Sequence, residues 1–362
     1  APVSVVLRTG RPGPLPDLPR PNRPVGGVSL SPPPTGPNHP PDGGLIAVAA
    51  YIAARLAQAV PVAFIASLAV FLVVRLVPGD PAELVAGEDA PPERVTEIRH
   101  DLGLDRPVLE QYADWAGGLF RGDLGISLQN GQPVSRLLGD ALPPTVELAV
   151  VAYPVALVLG IAIGGLAGMR PGSPWDWFAT AYAGLCLAVP GFLLAILLLW
   201  FFAISLGWLP ASGRESILAD PLGGLRTVAL PAASLAFGIS AVLVRYTRTA
   251  VVQAQSLDFV RTARAKGLGE RAVFMQHALR NALLPIITVG ALQVGHLLSG
   301  AVVVEQVFTR PGMGRLMVHG IQHRDYPVVQ GGILVLVAIF IGVNLAADIA
   351  YGLADPRVRG AR

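Results

Sequence analysis

Six stretches of the chain, at roughly 53–77, 145–167, 177–206, 227–244, 284–307 and 328–351, are long and apolar enough to cross a lipid bilayer. A helix needs about 20 apolar residues to do so. In hydrocarbon every backbone N–H and C=O must pair inside the protein, which leaves the helix as the form for runs of this length. Glycine and proline within the runs, at Gly160, Gly164-Gly165, Pro190-Gly191 and Gly290, would break a helix in a soluble core more than one in a membrane. The fourth run is the weakest, with several small residues and Ser240. Composition agrees, since 52% of the residues are hydrophobic and 14% charged, against about 25% charged in an ordinary soluble domain. The expected fold class is an all-α polytopic membrane protein of six transmembrane helices, with the lipid bilayer as its solvent.

The few charges exclude several functions. Lys266 is the one lysine, every other basic side chain is arginine (the histidines aside), and the net charge is +3. A P-loop sets its lysine after a glycine frame, G-x-x-x-x-G-K-[ST], so that backbone amides and the ammonium hold phosphates. Lys266 stands in Ala-Arg-Ala-Lys-Gly-Leu, without that frame. If ATP with Mg drives this protein, another chain binds it, and no cofactor is expected in this one. No basic stripe suggests nucleic acid. No Ser/His/Asp or Cys/His grouping rises above chance, the six histidines lack metal-ligand spacing, and the single Cys186 allows no intrachain disulfide. Catalytic and metal residues are therefore expected to be none.

Residues 1–44 are rich in Pro, Gly and Arg, with Pro32-Pro33-Pro34 and Pro40-Pro41 among them. Such composition buries too little apolar surface to offset chain entropy, and the stretch reads as a disordered tail, a proline-rich ligand being the sharper alternative. The charged start, short apolar run and cleavage site of a signal peptide are not there. The first transmembrane helix takes 45–77. A polar segment, 78–142, follows, with twelve acidic residues and five arginines. Each charge at mid-membrane costs on the order of 3 kcal/mol, so the segment lies outside hydrocarbon. Pro91-Pro92-Glu93 opens a helix there, Gly103 stops it, Asp105-Arg106-Pro107 starts another, and Asn130-Gly131 signals a turn. The rest of the membrane domain is 143–355, and 356–362 is the C-terminus.

Arginine and lysine near span ends set orientation. The linker 245–280 carries seven: Arg245, Arg248, Arg261, Arg264, Lys266, Arg271 and Arg280. The C-terminus adds three, Arg357, Arg359 and Arg362, while the longer 78–142 segment has five. The linker and both termini are therefore expected in the cytoplasm, although Arg310, Arg315 and Arg324 on the opposite side argue the other way. Within the linker, Ser256 or Asp258 can cap a helix through Phe259, Val260, Arg261, Thr262, Ala263, Arg264, Ala265 and Lys266, and Gly267 supplies a left-handed stop. Lys266 then sits at the negative helix end. A second helix starts near Glu270 and runs through His277 and Arg280 toward the fifth span, where Pro285 should bend it. The result is a compact knob, 256–282, offering Leu257, Phe259, Val260 and Ala263 to a partner's groove. An ordinary positive-inside loop accounts for the pattern equally well.

Several segments, in order, resemble one known family. Ala263-Arg264-Ala265-Lys266-Gly267-Leu268, followed by His277-Ala278-Leu279-Arg280-Asn281-Ala282-Leu283-Leu284-Pro285, is similar to the coupling segment of dipeptide and oligopeptide ABC importer permeases. Pro78-Gly79-Asp80-Pro81, Leu102-Gly103-Leu104-Asp105, Gln111-Tyr112 and Gly122-Asp123-Leu124-Gly125 resemble that family's outer segment. Glu305-Gln306-Val307-Phe308, Pro311-Gly312-Met313-Gly314-Arg315, Arg324-Asp325-Tyr326-Pro327 and Asp355-Pro356-Arg357 continue the likeness to the C-terminus. The glutamate of the E-A-A-x-x-x-G core seen in many ABC importers is absent, since Arg261-Thr262-Ala263 precedes Gly267, as is usual in the peptide branch. The long segment after the first span resembles the first of two permeases. The resemblance implies a type I importer permease fold in a bacterial cytoplasmic (inner) membrane. It also implies four kinds of surroundings: a homologous second permease, two P-loop ATPase subunits, an extracytoplasmic solute-binding protein and lipid. Phe259 to Gly267 would dock in the ATPase, and the cargo would be a short peptide, nickel and glutathione importers being relatives.

Other polar residues have two readings each. Glu147, near the start of span two, is a first-turn glutamate satisfying the helix dipole or a transport residue. Asn344 and Asp348, four apart on the inner half of span six, pair with Arg245 or Arg248 or form a gate. Gln293 and His296 in span five bond across helices or line the passage, and Glu305 is expected at the water-accessible outer end. A secondary transporter would need paired repeats and ionisable groups at mid-depth, whereas the charges here gather at span ends. Deleting residues 1–44 should leave uptake by the intact transporter unchanged; a radiolabelled-cargo uptake assay showing lost transport would make the tail functional.

Overall fold

The computed structural model describes residues 43–75, 80–87 and 90–354. Nearly all of the tail, the Pro78-Gly79 half of the first signature, and Asp355-Pro356-Arg357 lie outside them. The described chain is helical, with one isolated antiparallel bridge between Ile126 and Pro133. A first long helix, α1 (Gly43–Arg75), leads to three short ones, α2 (Pro81–Ala86), α3 (Pro92–Asp101) and α4 (Val108–Phe120). Then come α5 (Val134–Met169), α6 (Pro174–Ala188) and α7 (Gly191–Leu198), the last continuing as a π-helical stretch, Leu199–Ser205. After α8 (Pro221–Gln255) stand α9 (Asp258–Ala265) and the single turn α10 (Glu270–Ala272), which passes through a π-helical segment, Val273–Ala278, into α11 (Leu279–Val307). The chain closes with α12 (Met313–Gln322) and α13 (Tyr326–Ala354).

The short helices follow their sequence signals. Asp80 accepts the Ala82 N–H at 2.8 Å to cap α2, Pro92 opens α3 in its first turn with Glu93 behind it, and Gly103 (φ 64°) ends it. Pro107 stands at the head of α4. The helix of the second span starts earlier than its apolar run, at Val134, so the end of the polar segment is continuous with that span. Pro143, Pro144 and Pro154 are carried inside it.

The core is the pairing of α5 and α8. Gly160, Gly164 and Gly168 recur every four residues on one face of α5, and that face lies on α8. A Cβ at Gly164 would stand 2.8 Å from Thr247 Cβ, and one at Gly168 would stand 2.7 Å from Val251 Cβ. Only glycine lets the two backbones approach so closely, as in membrane helix pairs with small residues every fourth position. Contacts climb in the same direction on both helices, Gly160 on Leu243 and Gly168 on Val251, so α5 and α8 run parallel. Within the most apolar window of α8, 67% of the residues are buried, against 11% for α1 and 6% for α13. α8 is thus the centre, and α1 and α13 face outward.

Five helices are individually long and apolar enough to span a membrane, and α6 with α7 forms a sixth candidate bent by 97° at Val189-Pro190. Geometry makes that pair one broken crossing. α6 starts beside the end of α8, where Asp176 takes the Arg248 guanidinium. Ser216, just before α8, lies at the other end on Glu147. The chain must cross back between them, through α6 and α7. Pro190 lacks the N–H that would continue α6, which is the physical reason for the break. Six crossings result, and Pro285 sits inside α11.

The glycine contact predicts that Gly164→Leu overpacks the α5–α8 interface and destabilises the protein by about 1–3 kcal/mol. Gly184→Leu, where a side chain meets open space, should be nearly neutral. Thermal unfolding of the two detergent-purified variants checks the difference.

Candidate functional site

Two polar constructions stand at opposite ends of the α5–α8 pair. At the first, α9 is a short helix folded back on the π-helical segment Val273–Ala278. Leu257 occupies its N-cap position without a side-chain cap, so neither Ser256 nor Asp258 caps it. Ser256 instead closes α8, its hydroxyl donating to Gln253 O at 2.7 Å. The far end is as the sequence indicates. Gly267 adopts φ 79°, its N–H reaches Arg264 O at 2.9 Å, and Leu268 N–H reaches Ala263 O at 3.3 Å. That pair of bonds is a Schellman stop, which pairs carbonyls the helix end would otherwise leave open.

Val260 and Ala263 are buried against Val273, so these two are not offered outward as the sequence pattern suggested. Leu257, Phe259 and Leu268 are exposed, and Arg261, Thr262, Ala265 and Lys266 share the open side. Arg264 holds the knob to the bundle. It donates Nε and Nη2 to the Glu270 carboxylate at 2.9 and 3.1 Å, and Nη2 also to Gln255 Oε1 at 2.9 Å. Gln255 in turn donates to Gly168 O at 2.7 Å. The Arg264 hydrogen bond holds the Glu270 carboxyl below its usual value, so the clamp survives through the ordinary carboxylate range and opens only as pH falls through that lowered value. A force on α9 therefore reaches the ends of α8 and α5 through two polar contacts, Arg264 on Gln255 and Gln255 on Gly168.

At the other end, Glu305 is 0% exposed, which corrects the expectation of a water-accessible carboxylate. It accepts the Thr145 hydroxyl at 2.6 Å, Gly314 N–H at 2.8 Å and Arg315 N–H at 3.2 Å. Thr145 accepts Met313 N–H at 2.9 Å. The carboxylate thus caps α12, where helix N–H groups and the dipole favour negative charge, and ties α12 to α5. Arg310, 1% exposed, donates to Glu147 at 2.8 Å and to Pro144 O at 3.2 Å. Burial holds its guanidinium below the ordinary value despite the Glu147 carboxylate facing it. Glu147 also accepts Ser216 at 3.0 Å. It lies well inside α5 rather than in a first turn, because that helix begins at Val134. Near by, Asp325 accepts the Ser127 hydroxyl and Leu128 N–H, fastening the loop before α5 to the head of α13.

The remaining sequence candidates scatter. Asp348 pairs with Arg55 of α1 at 3.3 Å, and Asn344 donates to Phe340 O at 2.8 Å. Arg248 is taken by Asp176, so it does not serve Asp348. Gln293 is buried and His296 exposed, and neither makes a cross-helix hydrogen bond among the described residues. Asp176, Arg310 and Thr145 were not singled out by sequence reasoning as site residues. Asp176 carried a signal, being an acid that stands immediately before an apolar run.

Two family models match the chain: the binding-protein-dependent transport system inner membrane component over residues 160–360, and the N-terminal part of such membrane components over 48–149. A peptide transport system permease protein of Brucella abortus is 44% identical over 310 residues, covering 86% of this chain and 99% of that protein. The di/tripeptide transport system permease protein DppB of Pseudomonas aeruginosa is 40% identical, covering 86% and 99%. The glutathione transport system permease protein GsiC of Escherichia coli is 38% identical, covering 85% and 98%. A solved amino acid ABC transporter chain aligns with 16% identity and a TM-score of 0.43 over 62% of this chain and 94% of that one, too loosely to carry an argument.

The buried ion pair predicts that Arg310→Met, which strands Glu147, destabilises the protein by about 3–5 kcal/mol. Glu147→Gln combined with Arg310→Met should recover most of that loss. Unfolding in detergent of the two single variants and the double variant closes the cycle.

Proposed function

The chain belongs to the family of binding-protein-dependent transport system inner membrane components, and from that premise we propose that it is the permease subunit of an ATP-driven importer of short peptides. It is a multi-pass membrane protein of that family and not an enzyme. In the proposed assembly it forms the passage with a homologous second permease. Two ATPase subunits bind ATP and Mg, and a solute-binding protein delivers cargo from outside the cell. The arginine-rich linker supports a cytoplasmic position for α9 and for both termini. With six crossings, that position puts α2, α3, α4 and α12 outside.

The observation that carries the coupling part of this reading is the α9 knob. Its stop is left-handed, its inner face is packed on Val273, and Arg264 and Gln255 connect it to the ends of α5 and α8. Such a piece moves as a rigid lever rather than flexing as a loop. Its exposed Leu257, Phe259 and Leu268 supply an apolar surface for a groove in the ATPase, with Arg261 and Lys266 beside it. Peptide cargo is supported by the peptide-transport permeases that are 44% and 40% identical to this chain. The glutathione relative at 38% favours a second reading, a γ-linked tripeptide of the same size class.

Phe259→Glu alters the exposed face, at a ring that also stands beside His277, and should leave membrane insertion intact while lowering uptake by at least about tenfold, the effect of one lost docking contact. Gly267→Pro forbids the left-handed stop and should uncouple ATP hydrolysis from uptake, as should Ala263→Asp. Uptake and ATP turnover in proteoliposomes holding all subunits measure both, and wild-type uptake in Phe259→Glu would remove the lever.

A further inference from the structure

A cleft of about 730 Å³ opens where the end of α1, the α2–α4 segment and the head of α13 meet. Its size lies within the range of roughly 300–1,000 Å³ usual for small-molecule sites. Two ion pairs line it and satisfy themselves: Asp80 with Arg99, and Arg106 with Asp114 at 2.6 Å. Three other polar groups lining it do not. Arg75 donates to Phe71 O at 3.3 Å and to Gln111, and lies over the Phe71 ring at 3.5 Å, yet has no carboxylate partner among the described residues. Gln330 is 7% exposed and makes no hydrogen bond among them. The Tyr326 hydroxyl is buried without a partner. Tyr326 and Gln330 are four apart on α13 and so share a face.

A buried polar atom without a partner is costly, and the Tyr326 hydroxyl is one; beside it in the cleft stand the Gln330 amide and a guanidinium that no carboxylate faces among the described residues. All three can donate a hydrogen bond. That set fits an anion. Phe71, Trp115, Leu102 and Leu104 give the same cleft an apolar wall, so the ligand is an amphiphile rather than a bare ion. Asp80 and Asp114 are held by Arg99 and Arg106, so the charge left open in the cleft among the described residues is the single positive one of Arg75, which suits one carboxylate.

We propose that this cleft holds a short peptide, its terminal carboxylate on Arg75, Gln330 and Tyr326 and its side chains against Phe71 and Trp115. The proposal rests on the peptide-importer reading and deepens it, giving the permease a cargo site of its own. The Tyr326 hydroxyl is sealed in this structure, so its part in binding requires the ring to turn toward the cleft. Because the cleft is built from one subunit, binding there does not require the second permease to contribute a residue.

The test uses the intact permease–ATPase complex in nanodiscs without the binding protein, with radiolabelled trialanine as probe. Saturable binding is expected, and trialanine amide should bind at least about tenfold more weakly, the cost of losing hydrogen bonds to a charged group. Tyr326→Phe, which removes only an unpaired oxygen, and Arg75→Gln should each weaken binding to a similar degree, with Arg75→Lys in between. Equal affinity for acid and amide, no saturable binding, or displacement by phosphatidylglycerol but not by peptide would overturn the site. Binding-protein-dependent uptake separates the two levels: normal peptide uptake by the cleft variants removes the cleft alone. No uptake of any peptide removes both readings.

Discussion

The parallel contact of α5 on α8 fixes the register on which both ends of the molecule depend. Three glycines bring the backbones together, and packing that close admits little sliding. Once the register is set, Glu147 comes level with Ser216 at one end. Gly168 comes level with Gln255 at the other. The buried latch and the coupling knob are therefore attached to the same rigid pair. A change at one end has a direct mechanical route to the other.

The two ends solve one problem in opposite ways. Where a chain leaves the bilayer its helix termini expose unpaired N–H and C=O groups. At the knob, backbone closes the account: the Schellman bonds at Gly267 and Leu268 need no side chain. At the latch, side chains do it, with Glu305 capping α12 and Thr145 relaying Met313. The backbone stop leaves a smooth, partly apolar surface free for a partner. The side-chain latch is sealed inside the protein, where paired charges resist rearrangement because either partner alone is costly.

The broken crossing adds a feature the apolar pattern hides. A continuous hydrophobic run from 177 to 206 reads as one straight helix, yet the chain turns by 97° within it. Pro190 removes a donor, and the π-helical turn Leu199–Ser205 absorbs the register change that follows. A bent span leaves room beside α8 and explains how Ala195 and Leu198 reach the central core while Trp200 and Phe201 stay exposed. Aromatic side chains facing outward suit a lipid boundary.

Much was legible from residues alone. Apolar runs of spanning length announce helices whatever their neighbours, because lipid leaves no other way to pair a backbone. Local punctuation was equally plain: Pro92, Gly103 and Gly267 act within a few residues of themselves, and each stands where its backbone preference places it. The tertiary structure alone decided the partners of charged groups. Glu305 looked solvent-exposed and is sealed; Glu147 looked like a first-turn residue and meets Arg310, 163 positions away; Arg248 chose Asp176 and Asp348 chose Arg55. Sequence spacing gives a side chain's face on its own helix. Which distant helix that face meets depends on register and packing angle, and those arise only when α5 and α8 have come into contact.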